Sequence, residues 1–210
     1  MTSTQPAPDQ ADADTIVRIG GWLFEHRTWT PLPITAVLLA VRAGEARHSA
    51  PLVAAGILVV AAGESLRLWA VHHIGAISRT RSDRLGPLVT TGPFALVRNP
   101  LYLGNIALWV GFALSARLLW MVPVAVLVLG FEYHAIVRWE ERLLASRRGE
   151  EYRAYAARVP RWLPNAYRGK RCAVAFSWRE TLFSERGTLL AIAAGYLLLW
   201  VKLAVVGSRF

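Results

Sequence analysis

The chain has 210 residues, of which 54% are hydrophobic, and its apolar runs approach the length of about 20 that carries a helix across a bilayer, which excludes an ordinary water-soluble domain. Its net charge of +10 comes almost wholly from arginines flanking those runs; such arginines mark cytoplasmic loops facing anionic headgroups, so a membrane surface is expected and no nucleic-acid partner. The single cysteine, Cys172, excludes an intrachain disulfide and a cysteine-based metal cluster.

In chain order, residues 1–20 carry Asp9, Asp12 and Asp14 and no clear apolar period, and are expected to form a disordered acidic tail. From Trp29 to Val41 runs a first apolar stretch, headed by Pro31 and Pro33, which is too short to span upright unless Trp22 to Phe24 contribute. Residues 50–76 form a clear span, interrupted by Glu64 and Arg67, whose spacing lets them pair on one helix face. Leu101–Leu114 and Leu118–Val137 are separated only by Ser115, Ala116 and Arg117, which predicts a tight antiparallel helical hairpin. A last span is expected over Thr188–Val206, with Lys202 near enough to its end to snorkel. The predicted fold is therefore all-α, an integral membrane bundle of about five transmembrane helices. Residues 21–187 form its core and residues 188–210 an extra C-terminal transmembrane helix.

Arginines orient it. Arg79, Arg81, Arg84 and Arg98 precede the hairpin, and a dense basic stretch from Arg138 to Arg186 follows it; both segments belong on the cytoplasmic side, with the Arg117 turn opposite. The N-terminus is then expected inside and the C-terminus outside.

Polar information concentrates at the cytoplasmic ends of the hairpin. Gly86, Pro87, Gly92 and Pro93 punctuate a turning backbone, tolerated at membrane depth only where it is buried in protein or lines a wet cavity. Asn99 before Pro100 reads as an N-cap followed by proline at the first helical position. The exposed donors of such a helix start favour an anionic group, and Arg98 beside them can form a bidentate pair with a carboxylate. On local chemistry alone the plainer reading leads, that Asn99 and Pro100 merely start a helix while Arg98 anchors it to lipid phosphate. Glu140 and Glu141 return on the second hairpin helix to the side where Arg98 emerges, and helical periodicity puts Glu132, Trp139 and Glu140 on one broad side. Glu132 is either part of a site or a structural partner of an arginine. His72 and His73 are adjacent rather than at ligand spacing, and read as interfacial packing; no metal site is expected.

The run Gly86 to Gly104, then Glu140-Glu141-Arg-Leu-Leu, Gly149-Glu-Glu-Tyr-Arg-Ala-Tyr155 and Val159-Pro-Arg-Trp-Leu-Pro164, resembles the isoprenylcysteine carboxyl methyltransferase family and its phospholipid methyltransferase relatives, over roughly residues 70–165. The resemblance implies a cytoplasmic pocket for S-adenosylmethionine and a lipophilic or lipid acceptor taken from the bilayer. It implies cofactor contacts at Gly86, Pro87, Leu88, Val89, Phe94, Asn99, Pro100, Leu101, Tyr102 and Glu140; on their own chemistry Arg98, Glu140 and Glu141 are the catalytic candidates, either glutamate as acceptor of an amine proton, and Glu132 and Arg138 the substrate candidates. Three positions depart from the family pattern: Asn99 stands where histidine is common, Phe94 where an aromatic hydroxyl is, and Ile136 where the prenylcysteine enzymes place an arginine for the acceptor carboxylate. Methyl transfer to a carboxylate of an isoprenoid-like molecule is the expected activity, with phospholipid amine N-methylation as an alternative. A membrane reductase of the steroid reductase kind using NADPH, and a non-catalytic scaffold, are the readings from other classes.

Overall fold

A computed structural model describes residues 8–46, 49–75, 88–164 and 177–207; Gly86 and Pro87 lie outside them. Among the described residues the chain is helical throughout, with no strand. The elements are α1 (Pro8–His26), α2 (Leu32–Ala40), α3 (Ala50–Ile74), a short 3-10 turn (Gly92–Ala95), α4 (Pro100–Ser115), α5 (Met121–Arg148), α6 (Glu150–Arg158) and α7 (Trp178–Gly207). Three helices, α3, α5 and α7, are long and apolar enough to cross a membrane. With 16 residues, α4 reaches about 24 Å at 1.5 Å per residue, short of a hydrocarbon core of about 30 Å.

The segment before α3 is broken in two. Helix α2 has only 9 residues, but α1 runs along α5 and continues its line. Asp14 pairs with Arg142 near one end of α5, Thr30 meets Glu132 further along it, and the Trp120 indole donates to the Ala43 carbonyl at the other end (3.0 Å). The break falls at residues 27–31, where Pro31 and Pro33 remove amide donors and the chain makes turns instead. The helix therefore begins at Pro8, inside the stretch expected to be disordered to residue 20. Tertiary contact overrides composition there: a Cβ on Gly20 would run into the Ala135 carbonyl, Phe24 is buried against Trp139, and Asp14 has its arginine.

Helices α3 and α4 approach closely through facing glycines. A Cβ on Gly63 would stand 2.9 Å from the Gly104 carbonyl oxygen, and one on Gly111 2.5 Å from Val60 Cγ2, so only hydrogen fits at these crossings. The predicted hairpin between α4 and α5 is present. Its turn is closed by the Leu118 amide on the Ala113 carbonyl, with Arg117 in a left-handed conformation (φ 62°).

Helix α7 starts ten residues before the predicted Thr188, because Ser177 and Glu180 form a capping box: the Ser177 amide donates to Glu180 Oε2 and the Glu180 amide to Ser177 Oγ. Glu185 of α7 is bound by Arg67 of α3 (2.6 Å), which also donates to Asn105 of α4 and lies 3.4 Å from Glu64. Lys202 does not snorkel. It turns inward, donating to the carbonyls of Leu38 (2.9 Å) and Val41 (2.8 Å) at the end of α2 and pairing with Glu45 (2.7 Å). Carbonyls left without helical partners and a nearby carboxylate offer a lysine more than the headgroup layer does.

Candidate active site

The N-terminus of α4, the loop 88–99 before it, the second half of α5 and the turn 160–162 after α6 meet at one end of the bundle. Tyr155 of α6 anchors the loop by donating to the Phe94 carbonyl (2.8 Å). Tyr152, Tyr155 and Val159 form a small apolar cluster with Leu88 and Leu144 beneath it. Burial pushes the Tyr152 phenol up to about 12, with the Glu141 charge adding and a bond from Arg98 opposing. Burial likewise raises Tyr155. Gly92 adopts φ 59° with its Cα against the His73 ring, so a side chain there is excluded twice over, by backbone and by space. His73 thus underlies the loop, while His72 stacks on Trp178 (4.2 Å) and bonds Thr181. Both histidines serve packing, and no cluster of metal-ligating side chains occurs among the described residues.

Glu141 is the hub of the loop. Arg98 donates to its Oε1 (2.7 Å), and Arg161 grips both oxygens, Nε to Oε1 at 3.0 Å and Nη2 to Oε2 at 2.6 Å. The two-point bond to Glu141 is the main cause that holds the Arg161 guanidinium above its ordinary range. The same turn is stitched through backbone, with the Arg98 amide on the Pro160 carbonyl (2.9 Å) and the Asn99 side-chain amide on the Arg161 carbonyl (3.1 Å). Asn99 stands at the N-cap position of α4, yet its side chain makes no capping bond. Its amide is spent on Arg161, and α4 begins with the Leu101 and Tyr102 amides uncapped by any side chain, behind the buried Pro100.

Glu140 points elsewhere. Consecutive helical residues diverge by about 100°, so while Glu141 faces the loop, Glu140 faces α4 and accepts from the Tyr102 hydroxyl (3.0 Å). Tyr102 in turn stacks on Tyr133 (4.8 Å). Arg27, from the break between α1 and α2, lies over the Phe24 ring (4.1 Å). Arg98 and Glu141 are thus brought together, and Tyr102 and Glu140 are brought together, as two adjoining pairs.

The two expected substrate residues separate. Glu132, 5% exposed, accepts from Thr30 (2.6 Å) at the α1–α2 break, whereas Arg138 lies near His134 on the face of α5 toward Arg161. Sequence reasoning assigned no role to Arg161, Tyr152 or Tyr155, although the motif segments containing them were the available signal. Arg27 and Thr30 carried none, since their placement depends on where the segment before α3 breaks.

The phospholipid methyltransferase family profile matches residues 52–151, from α3 to the start of α6. A nickel-cobalt-cadmium resistance protein, NccN, of Alcaligenes xylosoxydans xylosoxydans is 32% identical over 153 residues, covering 70% of this chain and 68% of its own. The chain belongs to the phospholipid methyltransferase family. It is an integral membrane protein and a methyltransferase. A cobalt-zinc-cadmium resistance protein, CzcN, of Cupriavidus metallidurans is 31% identical over 73% of this chain and 67% of its own. The protein-S-isoprenylcysteine O-methyltransferase of Rattus norvegicus is 31% identical over 54% of this chain, and the match spans 41% of the rat protein. No solved structure gives a significant match. These relationships do not favour the reductase reading.

Proposed function

We propose that the chain transfers the methyl group of S-adenosylmethionine to a polar group, in the first instance a carboxylate, of an isoprenoid-like acceptor drawn from the bilayer, at a site facing the cytoplasm. The observation that carries this reading is the Tyr102–Glu140 bond beside an α4 N-terminus without a side-chain cap. The Leu101 and Tyr102 amides and the helix dipole suit the carboxylate of an amino-acid moiety, and the Glu140 carboxylate suits its cationic groups. This donor set fits a zwitterionic sulfonium cofactor. When bound, S-adenosylmethionine supplies an already activated methyl group, so transfer is an in-line displacement that depends on alignment and exclusion of water.

In this reading Leu88, Val89 and Phe94 wall the cofactor. Arg98 and Glu141, clamped with Arg161, hold that wall in place and do not touch the reacting atoms. The acceptor enters where helical backbone is interrupted at membrane depth, at the α1–α2 break lined by Thr30 and Glu132. Arg138, on another face of α5, is left to meet headgroups. A carboxylate acceptor is already the nucleophile at neutral pH and sheds no proton. A phospholipid amine must lose one, and in this reading Glu140, rather than the clamped Glu141, takes it. The fully buried Ile136, where the prenylcysteine enzymes carry an arginine, favours this amine reading as the second one.

Incubation of the purified protein with methyl-labelled S-adenosylmethionine and a total lipid extract, followed by mass spectrometry, tests the proposal. A labelled ester supports the first reading and a labelled amine the second. Calorimetric binding of NADPH without binding of S-adenosylhomocysteine would overturn both.

A further inference from the structure

Tyr102 stands at one end of a line of polar contacts that crosses the bundle. Glu185 on α7, 1% exposed, binds Arg67 Nη2 on α3 at 2.6 Å, and Thr188 one turn on accepts from the same nitrogen at 3.1 Å. The other terminal nitrogen of Arg67 donates to the Asn105 side-chain oxygen on α4. Asn105 stands three residues after Tyr102 on α4, so the two side chains leave the same face of that helix. Tyr133 stacks on Tyr102, whose hydroxyl is held by Glu140. Four helices are therefore joined through side chains: α7 to α3 and α3 to α4 by hydrogen bonds of Arg67, and α4 to α5 through Tyr102. Buried hydrogen bonds in apolar surroundings tolerate little drift, because a group that lets go of its partner finds no water to replace it.

The geometry points to Arg67 as a positioning residue for the Tyr102–Glu140 site, anchored by Glu185, so that the C-terminal helix is part of the catalytic unit rather than an accessory span. This rests on the cofactor site proposed above. Two features set it apart from simple packing. First, the planar guanidinium meets Asn105 and Glu185 through different nitrogens, which fixes the rotation of Arg67 and, through it, the side-chain plane of Asn105. Second, α7 has another buried anchor, Lys202 on Glu45 and the α2 carbonyls, at the opposite end and off this line. Losing either anchor loosens α7; only the loss of Glu185 should reach Tyr102.

The test compares Glu185→Gln and Asn105→Leu with Lys202→Met in the full chain. Three quantities are read: the thermal midpoint, the affinity for S-adenosylhomocysteine by calorimetry, and the fluorine resonance of 3-fluorotyrosine placed at position 102. Glu185→Gln and Asn105→Leu are expected to move the resonance and weaken binding by about tenfold, the loss of one well-made buried hydrogen bond. Lys202→Met is expected to lower the midpoint and leave both other readings unchanged. Should Glu185→Gln fail to fold, Asn105→Leu carries the same comparison. The inference is overturned if the resonance stays in place, if it moves without a change in affinity, or if Lys202→Met weakens binding in proportion to its lost stability. Wild-type protein that binds no S-adenosylhomocysteine, while its resonance still responds to Glu185→Gln, would remove the cofactor reading and the positioning role with it but leave the mechanical coupling. Normal binding in every variant would remove the coupling alone.

Discussion

The two ends of the α4–α5 hairpin use the same device to different effect. At the turn, Glu45 is held between Arg117 (3.1 Å) and Lys202 (2.7 Å); at the open end, Glu141 is held between Arg98 and Arg161. Each is one carboxylate between two cations on separate elements. At the turn the neighbouring polar groups are consumed as well, the Ala46 amide by the Arg117 carbonyl and the Ala43 carbonyl by Trp120, so the cluster closes the bundle. At the open end a second carboxylate, Glu140, stands beside the first but faces a tyrosine and a helix start without a side-chain cap. A buried carboxylate between cations is therefore a fastening at both ends, and chemistry is expected from the acid that the fastening leaves aside.

This contrast can be broken most directly at Glu140. Glu140→Ala is expected to lower methyl transfer by about 10- to 100-fold, as charged hydrogen bonds contribute roughly 1.5–3 kcal/mol and this one borders the proposed cofactor site. Transfer of label from S-adenosylmethionine measures it, and an unchanged rate would contradict the division of roles. Glu141→Ala should act on fold and activity together. Leaving Arg98 and Arg161 partly buried without their acid is expected to cost about 2–4 kcal/mol, reduced from the fully buried case by their residual exposure, and the thermal midpoint should fall as activity falls. Lys202→Met sharpens the comparison from the other side. It should cost about 1–3 kcal/mol through Glu45 and the α2 carbonyls, visible in thermal unfolding, while the rate at temperatures well below the midpoint is unchanged.

The smallest effect concerns pH. The Tyr152 phenol sits at about 12 in the folded protein against 10.0 as the ordinary value. Between about pH 10 and 12 the folded chain keeps a proton that the unfolded chain releases, so its contribution to stability is complete below pH 10 and disappears as pH rises through that window. Tyr152→Phe should flatten this part of the alkaline unfolding curve.

Much of the site was legible as sequence because it lies in continuous segments. Pro100 at the helix start, the Glu140-Glu141 pair and the hairpin turn at Ser115–Arg117 are local features, and local spacing determines them. Other features depend on partners far along the chain. Whether Asn99 caps its own helix or serves Arg161 is decided by the turn at Pro160 coming within reach. Lys202 turning inward depends on α2 ending beside α7, and Thr30 meeting Glu132 depends on a break between α1 and α2 that two prolines permit but do not place.

The sequence by itself determined the all-helical membrane architecture, the hairpin and the family motifs, since hydrophobic length, proline position and short spacing act within one segment. Only the tertiary structure decided which arginine holds which acid, that Glu140 turns to α4 while Glu141 turns to the loop, and that Arg67 ties α7 to α3 and α4. The reason is physical. A helix sets the angle at which a side chain leaves, but burial of charge is tolerated only with a partner, and partners are chosen by packing.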